Sequence, residues 1–241
     1  MTYDEIRAAV EAEGFILRGG FHPADDDAVP AFSPGVACKT LLLIGNAGSD
    51  MWRRFSSSPE SRLDKDPLNA FSRRIVENLA QTFGAIPMFP FTGPPYLPFI
   101  DWAQRAESVW PSPIGPLIHP EYGLWHAYRG ALGFPGVIPL PARPAAERPC
   151  DTCADKPCLH TCPVGAFSQR GYDVPGCIAH ISTPSGNACF EAACLARRAC
   201  PVGTAYAYVP DQAAFHTRAF LDANLERMNR NADVSKREKK K

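Results

Sequence analysis

Apolar residues recur along this chain with two different periods, and the switches between them outline its elements. Thr2, followed three positions later by Glu5, forms a capping box and predicts a first helix to about Glu13, closed by Gly14. Phe15 to Leu17 predicts a short strand, followed by loop through Pro34. Lys39 to Ile44 carries the Thr-Leu-Leu-Leu-Ile run of a strand buried on both faces. A turn at Gly45-Asn46-Ala47-Gly48 follows, and Asp50 to Phe55 begins a helix. Asp66 is the expected cap of a further helix with Pro67 at its first position. Leu68, Phe71, Ile75, Leu79 and Phe83 hold helical spacing there until Gly84. Ala85 to Phe89 reads as a strand, Phe89 to Pro98 as a stiff Pro/aromatic loop and Phe99 to Glu107 as helix. Trp110 to Pro120 reads as loop, Tyr122 to Gly130 as a helix and Val137 to Leu140 as a last strand.

Ala and Pro dominate from Pro141 to Pro149 and divide the chain. The expected units are an α/β part over residues 1–140, a linker over 141–149, a cysteine-rich part over 150–210 and a C-terminal helix with a basic tail over 211–241. Asp211 caps the closing helix, expected to run to about Asn229. Leu221, Leu225 and Met228 form its apolar stripe, Phe220 widens it, and Phe215 lies off its centre. The pattern leaves open which part this helix packs against. Lys236, Arg237, Lys239, Lys240 and Lys241 read as a solvated tail.

Composition narrows the function classes. A hydrophobic fraction of 45% supplies a core, so clustered cysteines need not replace one. Lys plus Arg and Asp plus Glu both total 25, so no global field steers the protein to nucleic acid or a membrane. Met1 to Gly19 carries acids at Asp4, Glu5, Glu11 and Glu13 and no apolar signal core. No run of ~20 apolar residues follows, and a cytoplasmic protein is expected. In a reducing compartment the cysteines read as ligands rather than disulfides.

Eight of the nine cysteines lie between Cys150 and Cys200. Their order is Cys150-x2-Cys153-x4-Cys158-x3-Cys162-Pro163, then Cys177, then Cys189-x4-Cys194-x5-Cys200-Pro201. Cys-Pro-Val-Gly occurs twice, at Cys162 to Gly165 and Cys200 to Gly203, so the segment reads as two pseudo-symmetric halves. Eight thiolates suit two 4Fe–4S clusters (cubanes) of bacterial-ferredoxin type, in which the fourth ligand of each cluster comes from the other half. On that rule Cys150, Cys153, Cys158 and Cys200 form one quartet, and Cys162, Cys177, Cys189 and Cys194 the other. Ala166, Phe167, Ile178 and Tyr206 are expected to keep water off the clusters. Structural zinc in one or two four-cysteine sites is the alternative, but zinc loops pair two short Cys-x2–4-Cys knuckles, whereas here four cysteines crowd into thirteen residues and Cys177 stands alone. A purely structural cubane is a further alternative. Cys38 reads as a small apolar core residue.

In the first part the stretch from Ile118 to Leu132 is the richest, with His119, Tyr122, Trp125, His126, Tyr128 and Arg129. Such a mixture lines a pocket for a large planar ligand, or else Trp125, Tyr128 and Leu132 make a core stripe on one helix face. His119 before proline and His126 each have a plain structural reading as well. Gly45, Asn46 and Gly48 bring backbone amides near a ligand or simply turn the chain, and they match neither the P-loop nor the dinucleotide fingerprint. The Phe89 to Tyr96 loop offers another wall. No Ser-His-Asp order or His-x-x-x-His pattern occurs, so chemistry is expected from a bound cofactor.

The stretch with His119-Pro120, Tyr122-Gly123, Trp125 and Arg129-Gly130 resembles a signature of cobalamin-processing proteins that remove the upper ligand of the cofactor. Lys39 to Gly48 looks like the strand and turn before their cofactor site. Cys150 to Gly203, including Cys177-Ile178-Ala179-His180-Ile181, resembles the ferredoxin module of epoxyqueuosine reductase. The resemblance implies a flavin-reductase-like (nitroreductase-like) α/β domain followed by a 2×4Fe–4S module, α+β overall. It also implies cobalamin or another corrinoid held by Gly45, Asn46, Gly48, Tyr96, His119, Tyr122, Trp125 and Arg129. An electron-donor protein or a reduced flavin system would then supply electrons, and a corrinoid or small-molecule substrate would receive them. The N-terminal part is short for epoxyqueuosine reductase, with no counterpart of its central substrate-binding stretch or helical repeat, so tRNA is not the expected partner. A corrinoid-dependent iron–sulfur reductase is the first expectation. The alternatives are a ferredoxin-type carrier whose N-terminal domain docks a redox partner, and a flavin reductase with attached clusters.

Overall fold

The computed structural model describes residues 1–168 and 171–238. Lys239, Lys240 and Lys241 of the expected tail lie outside the described residues, as do the side chains of Lys236 and Arg237. In chain order the elements begin with α1 (Tyr3–Ala12), β1 (Ile16–Phe21), β2 (Thr40–Ala47), α2 (Asp50–Ser56), α3 (Pro67–Phe83), β3 (Ile86–Met88) and α4 (Phe99–Ala106). β4 (Trp110–Pro111), β5 (Leu117–Ile118) and β6 (His126–Phe134) follow. The cysteine-bearing segment holds α5 (Pro149–Thr152), β7 (Phe167–Ser168), β8 (Gly171–Tyr172), α6 (Val174–Ile181), α7 (Asn187–Glu191) and α8 (Leu195–Arg198). α9 (Pro210–Glu238) closes the chain. No described helix is long and apolar enough to cross a membrane.

An antiparallel sheet of order β1-β2-β6-β3 organises the first part. Its centre is β2, where Leu41, Leu42, Leu43 and Ile44 are all fully buried. Because side chains alternate, Leu42 and Ile44 meet α1 and α3 through Ile6, Val10, Phe71 and Ile75. Leu41 and Leu43 face the opposite layer, against Phe99, Trp102 and Ala103 of α4. Each such side chain contributes roughly 1.5–3 kcal/mol by leaving water. The first helix has its capping box: the Glu5 amide donates to Thr2, and the Thr2 amide to the Glu5 carboxylate. α3 ends at Gly84, which takes the left-handed conformation.

Several expectations need correcting. Residues 122–130 are not a helix: Tyr122 and Gly123 belong to a turn, and His126 onward is the long strand β6 beside β2. Gly45 to Ala47 continue β2 rather than turning. Val137 to Leu140 form no strand, although Ile138 is buried in the core. Asp66 sits in left-handed backbone and makes no side-chain cap bond. Trp110 to Pro120 carries two short strands, β4 and β5. α9 starts at Pro210 and packs on both parts: Phe215 contacts the rings of Trp52 and Phe55, and Leu221 joins Ile178, Ile181 and Cys189.

Two β-bulges interrupt the sheet, and each carries an arginine. The β1–β2 register shifts between Leu17 and Gly20, a stretch containing Arg18. The β2–β6 register shifts where Ile44 pairs with Gly130 and Gly45 with Tyr128, leaving Arg129 as the extra residue. A bulge re-aims its side chain. Arg18 turns toward Glu107, beyond the end of α4, and Arg129 turns toward the start of α3.

Candidate functional site

Two cavities in the cysteine-bearing part sort the eight cysteines four and four. Cys162, Cys177, Cys189 and Cys194 line one of about 360 Å³. Cys150, Cys153, Cys158 and Cys200 line a much smaller one of about 20 Å³. The thiols surround space rather than meet at a point: among the described residues, no three His, Cys, Asp or Glu side chains gather to hold a single metal ion. Burial pushes the Cys150, Cys158 and Cys200 thiols up, and their neighbours in the quartet push them further. Cys177 and Cys194 are raised in the same way, by burial first and then by cysteines of their own quartet. Four thiolates crowded together hold their charge only against a cationic core, which a metal ion or an iron–sulfur cluster supplies. Four thiols and apolar walls, such as Ile118 and Pro201 around one quartet and Phe167 and Leu195 around the other, are a donor set chemically suited to such a group. The Ala166 amide donates to Cys162 Sγ at 3.3 Å.

Unusual backbone marks these loops. Gly165 and Gly203, the glycines of the two Cys-Pro-Val-Gly copies, both take positive φ, 58° and 72°. Lys156, two residues before Cys158, and Ala193, immediately before Cys194, are non-glycine residues with φ of 39° and 67°. Left-handed backbone costs such residues about 1–2 kcal/mol, a strain that ligand clamps tolerate.

The two glycines of the repeat differ in surroundings. A Cβ at Gly165 would meet nothing within 4 Å, whereas one at Gly203 would lie 2.2 Å from the Tyr122 carbonyl carbon. Gly123, also at positive φ, faces it from the first part, and its Cβ would fall 1.9 Å from the Val202 oxygen. This glycine seam brings the 119–124 loop onto the chain just after Cys200. Arg197 reinforces it, donating Nε to the Leu124 carbonyl at 3.1 Å while its guanidinium lies over Trp125 and Tyr208. Tyr206, expected beside a cluster, instead donates its hydroxyl to Glu121 and sets its ring edge-on to Tyr122.

Of the residues nominated in the first part, most come together at one end of β2 and β6, but not as an empty slot. Gly48 donates its amide to the Trp125 carbonyl at 2.9 Å and accepts from Gln212 Nε2 at 3.2 Å, so this turn is already engaged. His119 stacks on Tyr122 with ring centroids 4.2 Å apart, and Trp125 packs edge-on to Tyr208. Arg129 is tied to Ser72, the Leu68 carbonyl and Asn69 beside α3. No carboxylate is among those partners, and burial lowers its pKa to about 10. Tyr96 stands apart, 65% exposed. Two buried amide side chains, Asn46 in β2 and Gln212 in α9, keep an unpaired atom: Nδ2 of Asn46, a donor, and Oε1 of Gln212, an acceptor. Such atoms cost roughly 1–3 kcal/mol each unless a water or a ligand amide meets them.

The sequence reading missed a buried network beside this group. Arg18, 1% exposed, grips Glu107 with two nitrogens, Nη2 to Oε1 at 2.5 Å and Nε to Oε2 at 3.2 Å. Tyr128 donates its hydroxyl to the same carboxylate. Arg18 also donates to His126 Nδ1 at 3.2 Å, and because a guanidinium only donates, the His126 proton sits on Nε2. His119 accepts at Nδ1 from the amides of Glu121 and Tyr122 at 3.1 and 3.2 Å, which puts its proton on Nε2, 3.8 Å from Glu107. Burial, and then the Arg18 charge, lower His119 to about 4 and His126 to about 2, so both rings are neutral at pH 7. A lone charge next to apolar Ile16 and Leu17 was the one sequence signal for Arg18.

No protein-family model matches the chain, and no curated protein matches it. Solved structures do. A B12-trafficking protein of C. elegans, CblC, a homologue of human MMACHC, matches with a TM-score of 0.51 at 16% identity, over 88% of this chain and 90% of that one. Epoxyqueuosine reductase from Streptococcus thermophilus matches with a TM-score of 0.50 at 16% identity, over 88% of this chain and 70% of that one. At that identity the likeness is one of fold. The chain has an α+β fold distantly related to those of a corrinoid-trafficking protein and of epoxyqueuosine reductase.

Proposed function

We propose that this chain is an iron–sulfur oxidoreductase that holds two 4Fe–4S clusters and serves a corrinoid. The observation that carries the reading is the division of eight cysteines between two cavities, each walled by three ligands from one half of the repeat and one from the other. Cys200 joins Cys150, Cys153 and Cys158; Cys162 joins Cys177, Cys189 and Cys194. Clusters so held accept and release single electrons. The protein's own part is to fix the thiols, exclude water with Ile118, Phe167 and Leu195, and direct amides at sulfur.

The corrinoid half of the proposal rests on the fold kinship and on the unpartnered amides of Asn46 and Gln212. A corrinoid carries amide side chains, and the unpaired Nδ2 of Asn46 and Oε1 of Gln212 are a donor and an acceptor of the kind such amides meet. The ring packing of Tyr122 and Trp125 favours a second reading, a carrier whose first part docks a redox partner and binds no corrinoid.

Titrating anaerobically reconstituted protein with hydroxocobalamin separates the two. The corrinoid reading expects saturable shifts of the corrinoid absorption bands, weakened in Asn46→Leu. Bands unchanged by the protein would leave the carrier reading standing.

A further inference from the structure

α8 is a helix of four residues strung between the two quartets: Cys194 immediately precedes it, and Cys200 follows two residues after its end. A single turn has too few backbone bonds to hold itself in water. Its place is set by its two thiol ends and by Ala196. That residue is fully buried, in a cluster with Ile114, Ile118 and Leu124 of the first part and with Cys158 and Cys200.

Arg197 leaves this turn toward the first part. Its Nε and Nη2 both donate to the Leu124 carbonyl, at 3.1 and 2.5 Å. The guanidinium lies over the rings of Trp125 and Tyr208, 4.6 and 4.7 Å from their centroids. One side chain thus engages the backbone of Leu124 and the ring of the next residue. The loop it grips is closed by its own bonds. His119 and Gly123 donate to each other's carbonyls at 2.9 and 3.0 Å, and the Trp125 amide donates to the Tyr122 carbonyl at 2.9 Å. The Gly48 amide, just past the end of β2, donates in turn to the Trp125 carbonyl at 2.9 Å. Arg198, the neighbour of Arg197 on α8, is exposed and donates to Ala192 within the cysteine-bearing part.

We propose that Arg197 is a positioning residue through which the loading of the two quartets sets the 119–125 loop. With a group bound between the thiols, Cys194 and Cys200 are fixed, the turn of α8 between them is fixed, and the Arg197 fork meets the Leu124 carbonyl. With the thiols empty the turn frays, and a planar fork that serves one carbonyl and two ring faces tolerates little displacement. The element with two arrangements is therefore α8 itself, and both parts of the chain bias it. His119, Tyr122 and Trp125 keep their packed arrangement when the electron-carrying part is complete and lose it when the thiols are empty. By linkage, whatever holds the 119–125 loop in place favours loading by the same factor as loading favours the loop.

This inference rests on the reading of the thiols as cluster ligands, and its test separates the two. Hydrogen exchange at the Gly48, Gly123 and Trp125 amides is followed in anaerobically reconstituted and in metal-free protein. The unsubstituted chain, Arg197→Gln and Arg198→Gln are compared, with iron and sulfide assayed on every sample. In the unsubstituted chain and in Arg198→Gln, loading should slow those amides about tenfold or more, roughly the weight of one charged hydrogen bond. Arg197→Gln should lose most of that effect with iron and sulfide undiminished. A residue that merely stabilised the fold would speed exchange in both states and leave the effect of loading in place. A loading effect in Arg197→Gln as large as in the unsubstituted protein, or none in the unsubstituted protein with its clusters present, would overturn this inference alone. Reconstituted protein without iron and sulfide would overturn the cluster reading and this inference with it.

Discussion

β2 buries Leu41, Leu42, Leu43 and Ile44 completely, while the largest apolar side chains less than a tenth exposed between Cys150 and Cys200 are Ile178 and Ile181. The first part assembles two substantial clusters, one on each side of its sheet. The cysteine-bearing part has only small ones, and cysteines are themselves members: Cys158 and Cys200 in one, Cys189 in another. Its secondary structure is correspondingly short, with α5 and α8 of four residues each and β7 and β8 of two. One part is held by apolar burial, and on the proposed reading the other is organised around the group its thiols would bind. In a segment of that kind metal binding and folding are one process.

The largest expected effect follows from that contrast. Removing iron should leave amides of β2 and β6 slow to exchange with deuterium while those between Cys150 and Cys200 exchange quickly. Equal protection of both parts in the metal-free chain would break the comparison. Next in size is Glu107→Gln, which strands the Arg18 charge at 1% exposure and should cost about 3–5 kcal/mol. Denaturant unfolding reads that loss, and cluster absorbance at a concentration where the protein is folded should be unchanged. Smaller again is Gly123→Ala, which adds a Cβ 1.9 Å from the Val202 oxygen at a φ of 56°. Overpacking of this kind costs roughly 1–3 kcal/mol. Here it should loosen the seam, seen as faster exchange at Val202 to Tyr206 with β2 unaffected.

Acid should test the first part of the metal-free chain by a smaller amount. Buried His119 and His216 titrate near 4 in the folded protein, against 6.5 for a free imidazole. The unfolded chain therefore takes up protons first as pH falls from 6.5 toward 4, and stability declines across that window. Melting temperature should fall across that range, and His119→Asn should flatten the fall.

The sequence told most where one residue type carries the physics. Leu41 to Ile44 are apolar at every position, and a strand buried on both faces is the short apolar run such a segment must be. The cysteine spacings group the thiols into the same two sets of four that line the two cavities. The sequence of His126 to Gly130 reads as helix because burial on both faces of β6 removes alternation, and the bulge at Arg129 resets the phase. The Arg18–Glu107 pair joins residues 89 apart, and the glycine seam joins two loops whose meeting only the tertiary fold dictates. The enclosed ring packing at Tyr122 and Trp125 was hidden for the same reason: Tyr206 and Tyr208 arrive from the other part of the chain.

The central claim concerns what the eight thiols enclose. Iron, acid-labile sulfide and zinc, assayed on protein reconstituted and kept without oxygen, test it most directly. The account predicts about eight irons and eight sulfides per chain, falling by about half in Cys153→Ser and again by about half in Cys189→Ser. Stoichiometric zinc with no sulfide, in protein whose fold is intact, would contradict it.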